Sequence, residues 1–506
     1  MERIKKLLVR VLALALVCAL LAGCGAGTTT TQTAGTEPKN SEAQNTGNEV
    51  LDKPTETIVW YVRNGNDITD KDKIEDAINA YIEPLIGVKV SILTTKEEPE
   101  LALALAAGED IDLFWTASWA NGNNYINENS CVDLTDYLEQ YSDLKNSIPE
   151  NVWTAAQYKG RNYFVPVYKE AATGMCVAYS KNMADKYGWD LSKIKTYEEL
   201  TPYLEQLKED GCKCPFGISI DLFTTSIIND IEVKAFNGTI GIRRDDPTKI
   251  VNLAESEEYK AYVNLMHEWN KLGYIPAEKV DFNYMNDVND CHDAFESGDL
   301  GFIWWQNVPD GEANASARYK TPIEFTMISD NYLSYNGTFG SAYMINSKSE
   351  KVDSCLKFLS LLCTDQVVAD YIVWGIEGTH YTRDADGYVS PIADSGYKSG
   401  GTWATCSVMA PSLQVGEAAD KKAQYAEFNE NALVSPLASF TFDQSPVDAE
   451  YAAVNAVFEE YRWLLDAGFY DPAEYLPKYQ QALKEAGIDT IIAEMQAQYD
   501  AYLANN

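Results

Sequence analysis

Tryptophan and arginine side chains follow two predicted strands at positions where they could bind a ligand. The apolar runs 57–62 and 111–115 predict buried strands. Arg63 follows the first, and Trp115 ends the second with Trp119 in the next loop. Indole rings offer flat faces for stacking, and a guanidinium donates paired hydrogen bonds to hydroxyl or carboxylate oxygens. The pattern indicates a binding rim, although core positions for the tryptophans and a surface ion pair for Arg63 fit it equally well.

The elements between these strands decide whether the side chains meet. Apolar residues at helical spacing predict a helix over 74–85, the segment 87–93 predicts another strand, and 101–107 predicts a second helix. This alternation is typical of a parallel α/β sheet covered by helices on both faces. Ligands bind beyond the carboxyl ends of such strands, so Arg63 and Trp115 are expected at one edge of the sheet.

A second pair of tryptophans lies further along the chain. Residues 294–299 predict the end of a helix, and 300–305 predict a strand that carries Trp304 and Trp305. Adjacent residues of a strand point to opposite faces, so at most one of these two rings is expected to face a cleft. Trp60, inside the first strand, is assigned to the core.

The chain lacks the sequence frames of the common catalytic and metal centres. Its histidines, His267, His292 and His380, stand in no His-Glu-x-x-His or triad arrangement, and no Walker loop is present. The segment 384–387 lacks the downstream glutamate of a calcium loop and predicts a hairpin turn. We therefore expect no catalytic residue, no metal and no cofactor. The many carboxylates leave a glycoside hydrolase, with two acids in an aromatic cleft, as an alternative.

Length and charge limit the class of protein. The 506 residues include 76 acidic and 40 basic side chains, which gives a formal charge of −36. A surface this acidic repels phosphate backbones, so nucleic acid is not an expected partner. Hydrophobic residues are 46% and charged residues 23%, as in a globular body. Residues 57–506 exceed the roughly 250–300 residues that one core serves, so at least two domains are expected.

The N-terminus has the features of an export signal with a lipid attachment site. Four basic residues precede an apolar stretch at 11–21 that is too short to span a bilayer permanently. The Leu-Ala-Gly-Cys run at 21–24 resembles the lipobox of bacterial lipoproteins, in which the cysteine receives a diacylglycerol and the signal is cut before it. This resemblance implies a signal peptide over 1–23 and lipidation at Cys24. An ordinary secretory signal is the alternative.

The segment that follows predicts a flexible tether. Residues 25–56 hold no aromatic side chain and are rich in small and polar residues. Such a segment buries too little apolar surface to fold, so 24–56 is expected to be a lipidated cysteine and a linker. As a coil of about 30 residues it reaches roughly 30 Å. Removing the signal takes away four basic residues and one acid, so the mature charge becomes −39.

Eight further cysteines lie in the body of the chain. Most have apolar neighbours, and a chain of this length does not need disulfides, so buried free thiols are expected, with disulfides as the alternative in an exported protein. Cys212 and Cys214 are too closely spaced for a Cys-x-x-Cys zinc knuckle. The eight are Cys131, Cys176, Cys212, Cys214, Cys291, Cys355, Cys363 and Cys406.

The last 70 residues predict three helices whose role is packing. The first is capped by 445–448 and ends at Gly468, the second begins after Asp471 and ends at Gly487, and Asp489 caps the third. The residues expected to face inward from the third helix are Ile491, Ile492, Met495, Tyr499 and Leu503.

Five short motifs together resemble the extracellular solute-binding protein family 1, the lipoproteins that feed ATP-driven sugar importers. Each motif alone is weak, but their order and spacing match that family from about residue 57 to 365. The tail 435–506 resembles an uncharacterised C-terminal domain of one lipoprotein subgroup, which 374–381 also resembles. The five motifs occupy 103–114, 132–136, 158–166, 179–181 and 294–298.

The resemblance implies a fold as well as a family. It is an α/β fold of two lobes, the type II periplasmic-binding-protein architecture, in which the ligand is clamped between lobes joined by crossing strands near Pro166 and Phe325. The implied parts are lobe 1 (57–166 and 326–366), lobe 2 (167–325 and 367–434) and a helical C-terminal domain (435–506) packed on lobe 2.

The resemblance also implies ligand-binding positions. Trp115 matches a sugar-facing tryptophan, and Glu170 matches an acidic residue that binds hydroxyls. Maltose-binding-protein-like members place an Asp-Arg pair where this chain has Ser118 and Trp119, so the binding mode is implied while the identity of the sugar is not. Tyr168 and Glu170 alternate along the chain and can face the same side. The full set of candidates is Arg63, Trp115, Ser118, Trp119, Tyr168, Glu170, Trp304, Trp305, Trp374 and Glu377.

These observations predict a monomeric solute receptor, lipid-anchored on the outer face of the cell membrane of a Gram-positive-type bacterium. We expect it to capture a neutral carbohydrate, above all an oligosaccharide, and to deliver it to the permease subunits of an ABC importer without enzymatic activity. A receptor for a peptide or another small polar solute is the alternative within this class. A surface-anchored glycoside hydrolase or an adhesin is the alternative of another class.

Overall fold

The computed structural model describes residues 55–63, 68–95, 98–218, 231–235, 239–276, 288–398 and 401–505. The predicted signal peptide, Cys24 and almost all of the predicted linker lie outside these ranges. All described residues fall in one compact unit. Within them, no helix is both long and apolar enough to cross a membrane.

Short strands and helices alternate along the described chain. The strands are β1 (Glu56–Arg63), β2 (Val88–Thr95), β3 (Leu113–Thr116), β4 (Val165–Pro166), β5 (Ala172–Ser180), β6 (Cys214–Gly217), β7 (Ile231–Ala235), β8 (Ile240–Arg243), β9 (Ile250–Asn252), β10 (Leu300–Asn307), β11 (Ile323–Met327), β12 (Tyr332–Leu333), β13 (Ala342–Ile345), β14 (Tyr381–Arg383), β15 (Val389–Pro391) and β16 (Leu433–Val434). The helices are α1 (Lys71–Ile86), α2 (Glu98–Ala107), α3 (Gly122–Asn127), α4 (Thr135–Leu138), α5 (Ser142–Asn146), α6 (Glu150–Ala155), α7 (Lys181–Tyr187), α8 (Thr201–Glu209), α9 (Glu257–Leu272), α10 (Val288–Ser297), α11 (Gly311–Tyr319), α12 (Tyr335–Thr338), α13 (Val352–Thr364), α14 (Gln366–Val373), α15 (Thr402–Thr405), α16 (Lys421–Glu430), α17 (Asp448–Asp466), α18 (Pro472–Glu485) and α19 (Ile488–Asn505).

The first sheet has the strand order β2-β1-β3-β13-β4. β1 pairs in parallel with both β2 and β3, with Trp60 opposite Leu113, which confirms the predicted alternation of strand and helix. β13 then pairs antiparallel with β3 and β4. Because β1 and β3 run in the same direction, their carboxyl ends at Arg63 and Thr116 lie at one edge of the sheet.

Helix α1 covers this sheet as its apolar spacing predicts. Ile74, Ile78 and Ile82 are buried one helical turn apart, and the exposed positions between them are Asp76 and Ala80. Gly87, with φ of 67°, ends the helix in the left-handed conformation, and its N–H donates to the Glu83 carbonyl. The glycine therefore turns the chain directly into β2.

The second sheet has the order β16-β12-β5-β10-β6, and β11 also pairs with β5. β10 is antiparallel to β5 and parallel to β6. A smaller sheet joins β7, β8 and β9, and β14 and β15 form an antiparallel hairpin. The turn of this hairpin contains 384–387, which confirms the predicted turn.

The chain crosses between the two sheets three times, the last time before β16, which pairs with β12 of the second sheet. It leaves the first sheet after β4, close to the predicted crossing at Pro166, and enters the second at β5. The second crossing, predicted near Phe325, is displaced because Phe325 lies inside β11 and pairs with Ala178 of β5. Since β12 also pairs with β5, the chain returns to the first sheet only between β12 and β13.

Each sheet has its own apolar core. Around the second sheet, Trp269 and Phe302 pack with residues of the C-terminal helices such as Val454 and Ile491, so the helical tail lies on the second lobe. The first core differs from the predicted boundaries, which place 367–434 in lobe 2. Val368, Ile372 and Cys406 are buried with the first sheet. The reason is that α14 follows directly after α13 and packs on α1.

The C-terminal helices largely begin and end where the sequence predicts. The Asp471 carboxylate accepts a hydrogen bond from the Ala473 N–H at 2.9 Å, and Gly468 and Gly487 adopt positive φ angles where helices end. The prediction that Asp489 caps the last helix is wrong, because α19 begins at Ile488 and Asp489 lies in its first turn.

One inward position of the last helix is also wrong. Leu503 is 43% exposed, whereas Ile491, Met495 and Tyr499 are buried. The helical spacing is correct, but the final turn of α19 extends beyond the core, so nothing covers this leucine among the described residues.

Seven of the eight body cysteines are described, and all seven are buried free thiols. The side chain of Cys291 lies outside the described part of the chain. Burial raises the pKa of Cys131 to about 12 and that of Cys212 to about 11, so these thiols stay protonated at neutral pH. No group of histidine, cysteine and acidic residues in the described ranges is arranged to hold a metal ion.

Candidate functional site

The carboxyl edge of the first sheet brings an arginine and three tryptophans together. Arg63 ends β1, Trp115 lies in the neighbouring β3, Trp119 lies in the loop after it, and Trp403 comes from α15. The Arg63 guanidinium carbon is 5.0 Å from the ring centroids of Trp115 and Trp119 and 5.3 Å from that of Trp403. These distances are typical of cation–π contacts. We call these four residues the tryptophan–arginine cluster.

The rings of the cluster are held at fixed angles to one another. Trp115 meets Trp119 edge to face at 5.6 Å and Trp403 edge to face at 6.0 Å, while Trp119 and Trp403 lie 6.4 Å apart with an angle of 30° between their planes. The Trp115 Nε1–H donates to Ser341 Oγ at 2.7 Å, and the Trp119 Nε1–H donates to the Gly340 carbonyl at 2.9 Å. The indole N–H groups are therefore bound within the protein.

The members of the cluster differ in exposure. Trp115 is only 2% exposed, whereas Trp119 is 59% and Trp403 is 39% exposed. Trp115 is thus the buried base of the cluster, and the other two rings face outward. Arg63 makes no ion pair or hydrogen bond with any described residue. The predicted surface ion pair of Arg63 is therefore absent from the described part of the chain.

Trp403 is the member that the sequence interpretation missed. It follows the glycines at 400 and 401, and Gly401 has a φ of 89°. This left-handed backbone conformation favours a glycine, whereas a Cβ at position 401 would make only ordinary contact with Trp403 Cδ1, at 3.4 Å. The only local signal for Trp403 is a tryptophan two positions after a pair of glycines.

Ser118 lies beside the cluster and helps to position its loop. Its backbone N–H donates to the Phe339 carbonyl at 2.8 Å, which joins the loop after β3 to the segment before β13. Its side chain is half-buried. Trp119 and Ser118 are thus adjacent on one loop, as predicted.

The structure does not bring Tyr168 and Glu170 into the cluster. Tyr168 is buried in the first core, where its ring lies near Asn429. Glu170 is half-buried and ion-paired with Lys169. Asn429 fixes this segment, because its Nδ2–H donates to the Lys169 carbonyl at 2.7 Å and its Oδ1 accepts from the Ala171 N–H at 2.8 Å.

Trp304 and Trp305 point to opposite faces of the second sheet, as their adjacency predicts. Trp304 is fully buried between Tyr197 and Phe216 in the large core of the second lobe. Trp305 is also buried and packs against Tyr319 and Phe325 in a smaller cluster. Both rings therefore serve as core residues in this conformation, and neither contacts the tryptophan–arginine cluster.

Glu377 belongs to an ion-pair network. Its carboxylate lies 3.2 Å from Arg383 Nε, and Arg383 Nη2 lies 2.9 Å from the buried Asp370 carboxylate. The Asp370 side chain also accepts from the Ser412 N–H at 2.7 Å. This network fixes the β14–β15 hairpin against α14, which explains Glu377 without a ligand.

Trp374 lines a cavity of about 720 Å³ that adjoins the tryptophan–arginine cluster. We call it the 374–421 cavity. Its wall includes Gly401 and Thr402, the two residues before Trp403, so cavity and cluster share the start of α15. Its wall also includes Trp374, His380, Asp394, Ser395, Tyr397, Gln414, Glu417 and Lys421.

The far end of this cavity reaches the second lobe. Lys421 Nζ pairs with Glu417 and lies 3.7 Å from the carboxylate of Asp310, the residue between β10 and α11 that directly precedes the helix. Burial raises the pKa of the Asp310 carboxyl, and the Lys421 charge acts in the opposite direction. The lysine therefore links the cavity wall to the carboxyl edge of the second sheet.

Comparison with known proteins places this geometry in context. Residues 76–379 match the family of bacterial extracellular solute-binding proteins, and 436–504 match a domain of unknown function (DUF3502). A carbohydrate ABC transporter substrate-binding protein from Streptococcus pneumoniae is 24% identical over 485 residues, which cover 91% of this chain and 94% of the relative.

Solved structures of such proteins share the two-lobe fold. The N-glycan transport solute-binding protein of Streptococcus pneumoniae is 22% identical, with a TM-score of 0.78 over 90% of this chain and 100% of that chain. A second structure of that protein, in complex with Man1GlcNAc, has a TM-score of 0.67 over 89% of this chain and 100% of that chain. The predicted fold of two α/β lobes with a helical C-terminal part is thereby confirmed.

Proposed function

Because the chain belongs to the bacterial extracellular solute-binding protein family, we propose that it captures a carbohydrate between its two lobes and delivers it to an ABC importer. The observation that carries this proposal is the tryptophan–arginine cluster at the carboxyl edge of the first sheet. Two of its indole rings are exposed, and its guanidinium has no carboxylate partner among the described residues. A receptor needs such open and unpaired groups, whereas a purely structural cluster does not.

The chemistry of the cluster suits a neutral sugar. The C–H faces of a pyranose ring stack on indole rings, and its hydroxyl oxygens accept hydrogen bonds from a guanidinium. A mature charge of −39 disfavours anionic ligands over the whole surface. When the cleft closes, the Arg63 N–H groups lose their contact with water. Each donor left without a hydrogen bond then carries a desolvation penalty of about 1–3 kcal/mol. This cost gives the site a preference for ligands rich in hydroxyl groups.

The descriptions of the relatives support the same class of ligand. The Streptococcus pneumoniae relative is described as a carbohydrate ABC transporter substrate-binding protein. The structurally similar protein from that organism is described with Man1GlcNAc and with Man5GlcNAc. By extension, an oligosaccharide is the ligand we propose here, and the partners are the permease subunits of an importer.

Binding without turnover is part of the proposal. The alternative of a glycoside hydrolase has one specific observation in its favour, the raised pKa of Asp310 near Glu417, since a retained proton suits a general acid. Both carboxylates, however, lie within ion-pair distance of Lys421. We expect the protein to release no new reducing ends from an oligosaccharide that it binds. Release by the wild type that is absent in Asp310→Asn would instead establish the hydrolase.

The proposed location rests on the lipobox-like run at 21–24. Two or three acyl chains on Cys24 would hold a protein at the membrane surface durably, and the linker would leave the body free to bind. Cys24→Ser is expected to move the protein from the membrane fraction to the medium, measured by immunoblotting of both fractions. Retention of this variant at the wild-type level would refute the anchor.

Capture between two lobes further requires that the lobes move. The short crossing segments between the two sheets, such as the one between β4 and β5, can absorb such a movement by a few dihedral changes. We expect small-angle scattering to report a smaller radius of gyration with saturating ligand. An unchanged radius at saturation would count against the clamp.

A thermal-shift screen tests the ligand class directly. A ligand that binds only the folded protein stabilises it by RT ln(1 + [L]/Kd), about 2.7 kcal/mol at a hundredfold excess over Kd. The panel should hold manno-, malto-, xylo- and chito-oligosaccharides, Man1GlcNAc and Man5GlcNAc, and short peptides. Stabilisation by a sugar and by no peptide is the expected result, and the reverse pattern would replace the proposal with a peptide receptor.

A further inference from the structure

Three segments of the chain connect the two lobes, and we call them together the hinge. The first crossing is 167–171, between β4 and β5, the second is 334–341, between β12 and β13, and the third is 431–432, between α16 and β16. The Val167 N–H donates to the Ser341 carbonyl at 2.9 Å, which joins the first crossing to the second. Any change in the orientation of the lobes must be taken up by dihedral angles in these segments.

The first two crossings lie in direct backbone contact. A Cβ atom on Gly337 of α12 would lie 2.2 Å from the Ala171 carbonyl oxygen, far inside van der Waals contact. Only a glycine therefore lets the two backbones approach this closely. Ala171 is buried, so its peptide groups need hydrogen-bond partners within the protein.

The side chain of Asn429 is such a partner, and it is fully buried near the end of α16. Its Oδ1 accepts from the Ala171 N–H at 2.8 Å and from the Ala172 N–H at 3.3 Å, and its Nδ2–H donates to the Lys169 carbonyl at 2.7 Å. Ala172 is the first residue of β5. A single amide thus holds three peptide groups of the segment that enters the second lobe.

The backbone of Asn429 is attached to the first lobe. Its carbonyl accepts from Asn151 Nδ2 of α6 at 3.3 Å, and the preceding residue, Phe428, packs against the first core. The third crossing begins two residues further on, and after it the Leu433 N–H donates to the Asn331 carbonyl at 2.9 Å, just before β12. Asn429 therefore lies between the first and the third crossing, with its backbone on one lobe and its amide on the segment that leads to the other.

The chemistry of an asparagine amide makes this connection specific. The amide carries an acceptor oxygen and an NH2 donor at a fixed separation, so it binds an N–H and a C=O of one segment at the same time. Because both ends are bound, residues 169–171 can change their dihedral angles only together with the Asn429 side chain. The first crossing is thereby coupled to the end of α16 and to the third crossing that follows it.

We propose that Asn429 is the positioning residue of the hinge, which holds the two lobes of the ligand-free protein in one orientation so that the ligand meets a preformed cleft. The inference rests on the proposed capture of a ligand between the lobes and adds a residue that acts on it through the first crossing. A protein whose binding-competent arrangement is only partly populated binds with an affinity reduced by that fraction. Loss of the amide should therefore weaken binding without removing any side chain of the tryptophan–arginine cluster.

Distances between the lobes in the ligand-free protein test this inference directly. Spin labels are attached at two exposed positions, through Asn146→Cys on α5 of the first lobe and Lys271→Cys on α9 of the second. Cys24 and Cys291 are replaced by serine, since the other body cysteines are buried. By double electron–electron resonance we expect one narrow distance distribution in this background and a distribution at least about twofold broader when Asn429→Ala is added.

Asn429→Asp gives the sharper test, because the pH sets whether the new side chain can replace the amide. The ionised carboxylate still accepts from the Ala171 N–H but has no donor for the Lys169 carbonyl, so the distribution should be broad near about pH 8. The protonated carboxyl regains such a donor, and burial raises the pKa of a carboxyl at this position. The distribution should therefore narrow again as the pH falls to about 5.

Other groups near this position titrate in the wild type as well. They are the ion pair of Lys169 and Glu170, the neighbouring Glu430, and the Tyr168 hydroxyl, whose pKa is raised by burial. The background protein and Asn429→Ala, each measured across the same pH range, therefore supply the baseline. Neither should narrow on acidification, which assigns the rescue to the new carboxyl alone.

Asn346→Ala is the matched control within one lobe. Asn346 is also buried, its Nδ2–H donates to the Ile111 carbonyl at 2.8 Å, and its Oδ1 accepts from the Lys348 N–H at 3.0 Å. Its truncation should lower the free energy of unfolding and leave the distance distribution unchanged. Equal broadening in Asn346→Ala and Asn429→Ala would mean that loss of any buried asparagine loosens the fold, and the hinge role would be overturned.

Isothermal titration separates this inference from the proposed function. The probe is Man5GlcNAc or the panel sugar that stabilises the protein most, and we expect Asn429→Ala to bind it about threefold to tenfold more weakly. An unchanged distance distribution in Asn429→Ala that is folded by circular dichroism, a broad one in Asn429→Asp that acid does not narrow, or broadening without loss of affinity would overturn the inference. If no sugar binds the wild type while the distributions change as expected, the proposed function fails and the positioning role of Asn429 stands.

Discussion

Two arginines of this chain lie against aromatic rings in different parts of the molecule, and only one of them is open. In the C-terminal helices, Arg462 lies 4.9 Å from the ring centroid of Tyr259 and forms an ion pair with Asp466 within α17. Both charged side chains are buried. At the edge of the first sheet, Arg63 contacts three tryptophans but has no counter-ion among the described residues.

The difference shows that contact with aromatic rings does not by itself identify a binding arginine. Asp466, the counter-ion of Arg462, is also bonded by two tyrosines. The Tyr259 hydroxyl donates to its carboxylate at 2.7 Å, and the Tyr262 hydroxyl donates to its backbone carbonyl at 3.2 Å. These bonds join α9 of the second lobe to α17 of the C-terminal helices. The closed cluster is therefore a structural connection, whereas the open cluster at Arg63 retains unused hydrogen-bond donors.

The largest effect is expected from breaking the closed cluster. Arg462→Met leaves the Asp466 carboxylate buried without its counter-ion, which typically destabilises a protein by about 3–5 kcal/mol. We expect this loss in the free energy of unfolding measured with urea, together with wild-type sugar affinity in the protein that remains folded. A loss below about 1 kcal/mol would mean that the pair is not buried in solution.

The double variant Arg462→Met/Asp466→Leu is the control for this prediction. It removes both charges and restores an apolar interior, so most of the lost stability should return. If the double variant is as unstable as the single one, the packing of the arginine stem is what matters and the charge argument fails.

The stability of the closed cluster around Arg462 should also depend on pH. Burial raises the pKa of the Asp466 carboxyl above its ordinary 3.8, and the Arg462 charge acts to lower it. Without the arginine the pKa of Asp466 rises further. A carboxyl whose pKa is raised in the folded state binds its proton more tightly there than in the unfolded state. It therefore lowers the free energy of unfolding at pH values above its folded-state pKa, and it has no such effect below its unfolded-state pKa.

The stability deficit of Arg462→Met is therefore expected to shrink as the pH falls from about 7 towards about 4. The measurement is the free energy of unfolding of Arg462→Met relative to Arg462→Met/Asp466→Leu across that range, since the double variant lacks the titrating group. A deficit that stays constant or grows on acidification would contradict the buried carboxylate.

Most of the fold could be predicted from the sequence because its signals are local. The spacing of Ile74, Ile78 and Ile82 predicted α1, and the apolar runs predicted β1 and β3 with their correct edge. The hydrophobic pattern does not tell which core a helix joins, however. For this reason the expected lobe boundary, which places 367–434 in lobe 2, differs from the core that Val368, Ile372 and Cys406 join. Phe325, expected near a crossing, lies within β11.

The candidate site was predictable only where it followed strand ends. Arg63, Trp115 and Trp119 were found because two parallel strands bring their carboxyl ends together. Trp403 was missed because it arrives from a segment 284 positions after Trp119 in the sequence, and tertiary packing alone unites them. Trp304 has the same residue type as these members, but its burial, which a single sequence does not reveal, makes it a core residue.

Substitutions in the open cluster around Arg63 should change the sugar affinity, whereas substitutions in the closed cluster around Arg462 should change the free energy of unfolding. Trp119→Ala removes an exposed stacking surface and should weaken the affinity for the recognised sugar by at least about tenfold, or about 1.4 kcal/mol. Because Trp119 is 59% exposed, the free energy of unfolding should change little. Isothermal titration and urea unfolding of the same preparation measure the two quantities.

The matched control for Trp119→Ala is Trp189→Ala. Trp189 is a partly buried ring that stacks on Tyr187, with 4.7 Å between the ring centroids. It follows α7, after the carboxyl end of β5, whereas the chain enters β5 from the first sheet at its other end. Its truncation should leave the sugar affinity unchanged. Equal losses of affinity in the two variants would mean that tryptophan truncation acts through the fold and not through the cluster.

The smallest effect is expected from Arg63→Lys, which keeps the charge of the open cluster and removes the planar fork of donors. A lysine presents a point charge, whereas a guanidinium stacks between rings and donates in parallel to two acceptors. We expect the sugar affinity to fall by about threefold to tenfold, or about 0.7–1.4 kcal/mol. The free energy of unfolding should change by less than about 1 kcal/mol, the size of an exposed cation–π contact.

Arg63→Met, which deletes charge and donors together, should lose more affinity than Arg63→Lys. If both variants bind the sugar as the wild type does, Arg63 only supports the tryptophan rings, and the distinction between an open and a closed arginine has no functional meaning in this protein.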